Sequence, residues 1–172
     1  DVIVRALPAI LQEQPGLVYV MVGLPTRAHE LERLAVELGV REHVMITGAV
    51  SMDALPLYYN LADLFVLVSR RARDGNVEGY GIVVAEAALC GVPAVVSRGC
   101  GLEEAVIEGQ TGLLVEPDDP RAVAAAVQHL LADESLRREM GRQAHCHVLK
   151  TGTWAQRIAV YDDILRRVVG GQ

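Results

Sequence analysis

The stretch IVVAEAALCGVPAVVS, residues 82–97, contains the transition that decides the fold. Its first part, IVVAEAALCG, is apolar enough for a strand or a helix. The alanine-rich tail, with Gly91 as a C-cap and Pro93 beyond it, favours a helix. The second part, VPAVVS, is a β-branched run typical of a buried strand. A helix that turns directly into an apolar strand indicates an αβ unit of a parallel sheet.

The same alternation extends in both directions from this stretch. Strands are predicted at 17–23, 43–50, 63–69, 92–97 and 111–117, and helices at 1–16, 29–40, 51–62, 82–91, 119–133, 134–149 and 153–169, with a short helix or turn at 101–110. Ser51 and Asp119 are predicted N-caps. The pattern predicts an α/β fold, a Rossmann-like three-layer α/β/α arrangement with a parallel sheet, in one domain covering 1–172. It is either one complete domain or half of a larger doubly wound architecture.

Composition agrees with this fold and narrows the function. Hydrophobic residues make up 51% of the 172 residues but aromatics only 4%, so the core is aliphatic, as in a sheet covered on both faces. A net charge of -6 without a long basic run argues against nucleic acid as a partner. Three widely spaced cysteines indicate a reducing cytoplasm, and no apolar run reaches the roughly 18 residues of a membrane span. The start without Met, in mid-pattern, suggests a fragment of a longer protein.

The segment EGYGIVVAE, residues 78–86, is the strongest candidate for a ligand site. The loop 70–81 joins a strand to the helix 82–91, so it lies on the side of the sheet where α/β folds bind ligands. Backbone N–H groups at a helix N-terminus are unpaired and form an anion site. We expect such a site at the amides of Gly79, Tyr80, Gly81 and Ile82.

Two carboxylates frame these amides. Glu86 would lie about 6 Å along the helix, where it can accept hydrogen bonds from vicinal hydroxyls of a ribose, and Glu78 could hold a second sugar. The spacing therefore suits a sugar–diphosphate–nucleoside. Alternatively, Glu78 is a solvated loop acid and Glu86 decorates an exposed helix. The apolar flanks of Glu86 weaken that alternative, because they predict a largely buried helix and a buried acid needs partners.

The residues EGYGIVVAEAALCGVPAVVS resemble the E-x7-E signature of family 4 glycosyltransferases, which have the GT-B fold. The resemblance covers nearly the whole chain. It extends to LVYVMVG, HVMITGAV, ALPLYYNLADLFVLVSR and GCGLEEAVIEGQTGLLVEPDDP. The long loop RRARDGNVEGYG is most similar to the phosphatidylinositol mannosyltransferase branch. The chain is thus identified as the C-terminal, donor-binding half of such an enzyme.

The resemblance implies a retaining transfer of a sugar from a nucleotide-diphosphate sugar, of the GDP-mannose or UDP-glucose type, to an acceptor. It implies no metal and no other cofactor. By position, Glu78 is the catalytic residue that contacts the donor sugar, and Glu86 binds the ribose. The amides of residues 79–82 hold sugar hydroxyls and diphosphate. The turn with Gly48 and Val50 flanks the base. Arg70 matches an arginine of the family and could bind the diphosphate or an anionic acceptor. The alternative is that the arginines of residues 70–73 are solvated surface charges without a ligand.

Departures from the family matter as well. In the family this domain begins with an earlier strand carrying an arginine, followed by a lysine, and an N-terminal acceptor domain precedes it. We expect that first strand and that domain to lie outside this chain, and the chain alone to be inactive or nearly so. Through the acceptor domain the protein could associate peripherally with the inner face of the membrane. Glu103 stands where proline is usual and Cys100 where glycine is usual, whereas Glu104 keeps the acidic position.

Two other functions remain open. One is a non-catalytic nucleotide-sugar-binding or scaffolding domain, and the other is half of a nucleotide-sugar epimerase, which shares the fold but not the E-x7-E spacing. The spacing of His145 and His147 suggests a metal site. Residues two apart on a helix point in different directions, however, so a structural role is favoured. Cys90 is predicted to belong to the core.

Overall fold

The computed structural model describes residues 1–24, 26–68, 81–151 and 154–170. In this part of the chain the helices are α1 (Val2–Glu13), α2 (Ala28–Glu37), α3 (Leu55–Leu61), α4 (Ile82–Leu89), α5 (Pro120–Ala132), α6 (Glu134–Thr151) and α7 (Trp154–Val169). The strands are β1 (Tyr19–Val22), β2 (Val44–Gly48), β3 (Phe65–Leu67), β4 (Ala94–Ser97) and β5 (Gly112–Val115). Short 3-10 helices cover Arg41–His43 and Gly101–Ala105.

All strand pairs of the described chain are parallel, but they form two sheets instead of the single sheet that the sequence predicts. One sheet has two strands in the order β1-β2, and the other has three in the order β3-β4-β5. Phe65 pairs with Ala94, and Ala94 pairs in turn with Gly112, so β4 is the central strand of the larger sheet. The prediction of parallel strands is confirmed, whereas the prediction of one continuous sheet is not met by the described residues.

Alternate residues of β4 face opposite hydrophobic cores. Val95 belongs to a core with α1, α2 and α5, whereas Ala94 and Val96 belong to a core with α4 and the 3-10 helix Gly101–Ala105. Successive side chains of a strand point to opposite faces of the sheet, so helices cover both faces of β4. This arrangement confirms the predicted three-layer α/β/α fold.

The first of these cores joins the two sheets. Tyr19 and Met21 of β1, Ile46 of β2 and Val66 of β3 all pack against it. Helix α1 contributes its buried side chains to this core and packs against α5 and α2. The helix predicted at residues 1–16 is therefore confirmed as α1, which covers one face of both sheets.

Local signals place most helices correctly. The ambiguous segment 82–91 is the helix α4, and Asp119 caps α5 by accepting hydrogen bonds from Arg121 N at 2.8 Å and Ala122 N at 3.1 Å. The prediction of Ser51 as an N-cap is wrong, because α3 begins only at Leu55. The Ser51 side chain accepts a hydrogen bond from Ala54 N at 3.3 Å and thereby begins the preceding turn.

Helix α4 is less buried than its sequence predicts. Val84 and Ala87 are buried, but Ile82 is 62% exposed, and Val83 and Leu89 are also exposed. The apolar character of this helix is therefore not explained by core packing alone. Within the described chain, no helix combines the length and apolarity that crossing a membrane requires.

Candidate functional site

Gly81 forms the N-cap of α4, and its conformation depends on the absence of a side chain. Its φ is 66°, in the left-handed region that glycine enters without strain. A Cβ atom at this position would also clash with Leu102 Cδ2 and would lie 3.3 Å from Val84 Cγ2. Both constraints require glycine, so this residue sets the angle at which the chain enters α4.

The first turn of α4 has free backbone amides beside the exposed apolar side chains of Ile82 and Val83. No side chain among the described residues caps this helix, and its first turn contains no acidic residue. Gly81 O accepts a hydrogen bond from Val84 N at 2.8 Å, which tightens the first turn. Because α4 follows a strand of the parallel sheet, its N-terminus lies on the side where such folds bind ligands. The arrangement can hold an anion.

Glu86 lies one turn further along α4 and is half-buried. Its Oε2 atom accepts a hydrogen bond of 2.9 Å from the hydroxyl of Tyr59, which belongs to α3. The sequence predicts that this acid needs a partner, and Tyr59 is that partner. The sequence does not identify it, because the two residues are far apart along the chain and Tyr58 is an equally plausible candidate by position.

The Tyr59 ring is fixed by the core between α3, α4 and β3. It packs with Ala87 and Val92, and its edge contacts the ring of Phe65, with centroids 5.9 Å apart at an angle of 62°. Burial raises the pKa of the Tyr59 hydroxyl, and the hydrogen bond to Glu86 raises it further. The hydroxyl therefore stays protonated and remains a donor at neutral pH.

The surroundings of Glu86 are otherwise weakly polar. Cys90 follows Glu86 by one turn, at the C-terminal end of α4. Burial raises the pKa of its thiol, and the charge of Glu86 raises that pKa further. The side-chain amide of Asn60 donates to Cys90 Sγ at 3.7 Å. Cys90 packs against the core that contains Tyr59, in line with the structural role predicted for it.

The loop after β4 supports the start of α4. Leu102 is fully buried and provides the contact that excludes a side chain at Gly81. Glu103 accepts a hydrogen bond of 2.8 Å from Gly99 N and lies 3.8 Å from Arg98. The carboxylate at the position where proline is usual thus closes the loop by its own hydrogen bond. The contact between Leu102 and Gly81 could not be predicted from the sequence, because it depends on packing between distant segments.

Gly48 and Val50 lie at the carboxyl end of β2. Gly48 has a φ of 73°, and its carbonyl accepts hydrogen bonds from Gly23 N at 3.0 Å and from the Thr47 hydroxyl at 3.0 Å. The left-handed turn directs the chain away from the strand. Gly48 ends a strand of the two-stranded sheet and Val50 follows it, whereas Ile82 and Glu86 lie in α4, next to the three-stranded sheet, and Gly81 caps that helix.

The remaining predicted site residues are Arg70, Glu78, Gly79 and Tyr80, and they lie outside the described residues.

The histidine pair, His145 and His147, has separate partners. His145 Nδ1 donates to Leu89 O at 2.8 Å, whereas His147 Nε2 lies 3.3 Å from the Thr151 hydroxyl. Among the residues that the structure describes, no group of three or more acidic, histidine or cysteine side chains could hold a metal ion.

Known proteins share both the sequence pattern and this fold. The model of the family "Glycosyl transferases group 1" matches residues 1–146. A GDP-mannose-dependent alpha-(1-6)-phosphatidylinositol monomannoside mannosyltransferase from Mycolicibacterium smegmatis is 37% identical over 96% of this chain and 44% of its own length. This chain therefore belongs to the group 1 glycosyl transferases, and it spans less than half the length of this relative.

Solved structures agree on the fold. Sucrose-phosphate synthase from Thermosynechococcus elongatus superposes with a TM-score of 0.81 at 26% identity, over 99% of this chain and 43% of that one. HepE from Anabaena, in complex with UDP and glucose, gives a TM-score of 0.80 at 21% identity, over 98% of this chain and 44% of that one. The Rossmann-like, GT-B fold class predicted from the sequence is thus confirmed.

Proposed function

We propose that this domain binds the nucleotide-diphosphate sugar of a retaining glycosyltransferase, for transfer of the sugar to an acceptor held by a further domain. One observation carries the proposal. The helix α4 begins at Gly81 without a side-chain cap among the described residues, and the carboxylate of Glu86 follows one turn later. A helix N-terminus can bind a diphosphate, and a carboxylate can accept hydrogen bonds from the two hydroxyls of a ribose. Membership in the glycosyl transferase family supports the assignment.

The chemistry of the transfer explains the value of the amides. When the bond between sugar and diphosphate breaks, negative charge accumulates on the departing phosphate oxygens. Preorganised N–H groups at the start of α4 would stabilise that charge without reorganising, which is the dominant demand in a reaction of this class. In the proposal Glu78 contacts the sugar, Arg70 the diphosphate, and the turn with Gly48 and Val50 the base. No metal is assigned a role in it.

We also propose that a further strand of the full-length protein lies between β1 and β3. Each of these strands pairs on one side only within the described residues, and both pack against the core sealed by α1. The greater length of the relatives supports both this strand and an acceptor domain as partner. The protein is proposed to be cytoplasmic, which its three free cysteines support. A structure of the full-length protein without a strand between β1 and β3 would contradict the proposal.

Calorimetric titration of the full-length protein with GDP, UDP and ADP tests the donor site. We expect at least one nucleotide to bind, and Glu86→Ala to weaken that binding about tenfold or more, because it removes charged hydrogen-bond acceptors. The variant Glu37→Ala is the matched control, since it removes an exposed carboxylate from α2. If no nucleotide binds, or if the two variants bind equally well, the donor-site function fails.

A further inference from the structure

The hydrogen bond from Tyr59 to Glu86 joins α3 to the carboxylate that the proposed function assigns to ribose. We propose that Tyr59 is a positioning residue, which holds Glu86 in the orientation that accepts hydrogen bonds from two vicinal hydroxyls. This inference rests on the proposed function and adds a second helix to the donor site. It concerns a residue that would act through Glu86 and would not itself need to contact the nucleotide.

Tyr59 is anchored well enough to position another group. Its side chain is 8% exposed, and its ring packs edge-on against Phe65 and beside Ala87 and Val92. A tyrosine ring held on several sides places its hydroxyl at one point in space, because only two side-chain torsions connect that hydroxyl to the backbone. The anchor for Glu86 is therefore part of the hydrophobic core, not a mobile surface group.

The bond leaves the carboxylate with the capacity that ribose requires. An ionised carboxylate offers about four acceptor positions on its two oxygens. Among the residues that the structure describes, Tyr59 occupies one position on Oε2, which leaves Oε1 and the second lone pair of Oε2 for two ligand hydroxyls. The Cα–Cβ bond of Glu86, as in any α-helix, tilts toward the start of α4, where the amides lie.

Fixing Glu86 in advance should strengthen binding. A glutamate side chain loses conformational entropy when a ligand orders it, and a residue ordered before binding avoids most of that loss. The raised pKa of the Tyr59 hydroxyl keeps it a donor over the whole physiological range. The neighbouring Asn60 cannot substitute for it, since its side chain is directed to Pro56 O at 2.7 Å and to Cys90.

The test compares Tyr59→Phe with wild type in the full-length protein, by calorimetric titration with GDP and UDP and with their 2′,3′-dideoxy counterparts. Phenylalanine keeps the ring packing and removes only the hydroxyl. We expect about three- to tenfold weaker binding of the ribonucleotide and unchanged binding of the dideoxynucleotide. Tyr58→Phe is the matched control, because it removes the adjacent hydroxyl on the same helix, and it should bind both nucleotides like wild type.

A double-mutant cycle with Glu86→Ala separates positioning from a general effect on the fold. If Tyr59 acts through the Glu86 carboxylate, the loss caused by Tyr59→Phe is much smaller in the Glu86→Ala background, where no side-chain acceptor is left for the Tyr59 hydroxyl. A loss that is equal in both backgrounds, or equal for ribo- and dideoxynucleotides, would show a merely structural role and would overturn the inference. This readout holds even if Tyr59→Phe lowers the stability of the protein.

The outcomes also distinguish this inference from the function on which it rests. Wild-type protein that binds neither nucleotide, or that binds ribo- and dideoxynucleotides equally, overturns the ribose role of Glu86 and with it the role of Tyr59. Wild-type protein that prefers the ribonucleotide, together with a Tyr59→Phe variant that keeps the full preference, overturns the positioning role alone and leaves the donor site intact.

Discussion

The two sheets of this domain differ in how completely they are packed. All four residues of β4 in the three-stranded sheet are buried, whereas Val20 of β1 is 40% exposed and Met45 of β2 is 53% exposed. The same contrast holds for glycine. A Cβ atom on Gly112 or Gly141 would strike backbone atoms, but one on Gly16 would meet nothing within 4 Å. The described glycines whose Cβ would strike the backbone of another element thus lie in the part that carries α4.

This difference matters for the candidate site. Glu86, Tyr59 and Gly81 all belong to segments packed around the three-stranded sheet, so the position of each is set by a closed core. The two-stranded sheet is covered on the face toward α1 and α2, and its other face exposes apolar side chains. A rigid site needs supporting groups on every side, and among the described residues only the three-stranded part provides them.

The largest expected effect comes from Gly141, where α6 crosses the turn after α4. A Cβ atom here would clash with Gly91 O, which is backbone and cannot move as a side chain would. We expect Gly141→Ala to lower the free energy of unfolding by about 3 kcal/mol, despite the higher helix propensity of alanine. Denaturant-induced unfolding followed by circular dichroism measures the change.

Gly16→Ala is the control for that substitution. Gly16 is exposed, and no atom would contact its Cβ, so the change should stay within about 0.5 kcal/mol of wild type. Equal losses in the two variants would mean that the contrast in packing between the two parts of the molecule has no energetic consequence.

A second prediction compares Val95 of β4 with Val20 of β1. Val95 is fully buried in the core that joins the two sheets, so Val95→Ala removes packed methyl groups and leaves a cavity. We expect a loss of about 2 kcal/mol in the free energy of unfolding, against about 0.5 kcal/mol for Val20→Ala. A loss at Val20 as large as that at Val95 would show that the exposed face of β1 is buried in solution.

Sequence patterns predict the elements of this fold because their signals are local. Asp119 followed by Pro120 begins α5 as predicted, and the run after Pro93 forms the central strand. The division into two sheets could not be predicted, since strand pairing depends on residues far apart along the chain. The prediction of Ser51 as the helix start is wrong because a turn and a helix can begin with the same side-chain hydrogen bond.

The candidate site shows the same limit. Glycines and acids in EGYGIVVAE indicate a ligand site, and the structure confirms that α4 begins directly after Gly81. The partner of Glu86 could not be chosen from the sequence, because Tyr58 and Tyr59 differ only in which side of α3 they occupy. That choice depends on how α3 packs against α4, as does the contact between Leu102 and Gly81.

The smallest expected effect concerns two helix starts, those of α5 and α3. Asp119 accepts two backbone hydrogen bonds at the start of the long helix α5, so Asp119→Ala should cost about 1 kcal/mol. Ser51 accepts one longer bond in an exposed turn before the short helix α3, so Ser51→Ala should cost a few tenths of a kcal/mol, roughly. Thermal unfolding of both variants measures the difference. If Ser51→Ala were the more damaging change, the start of α3 would be a stronger constraint on the fold than its geometry indicates.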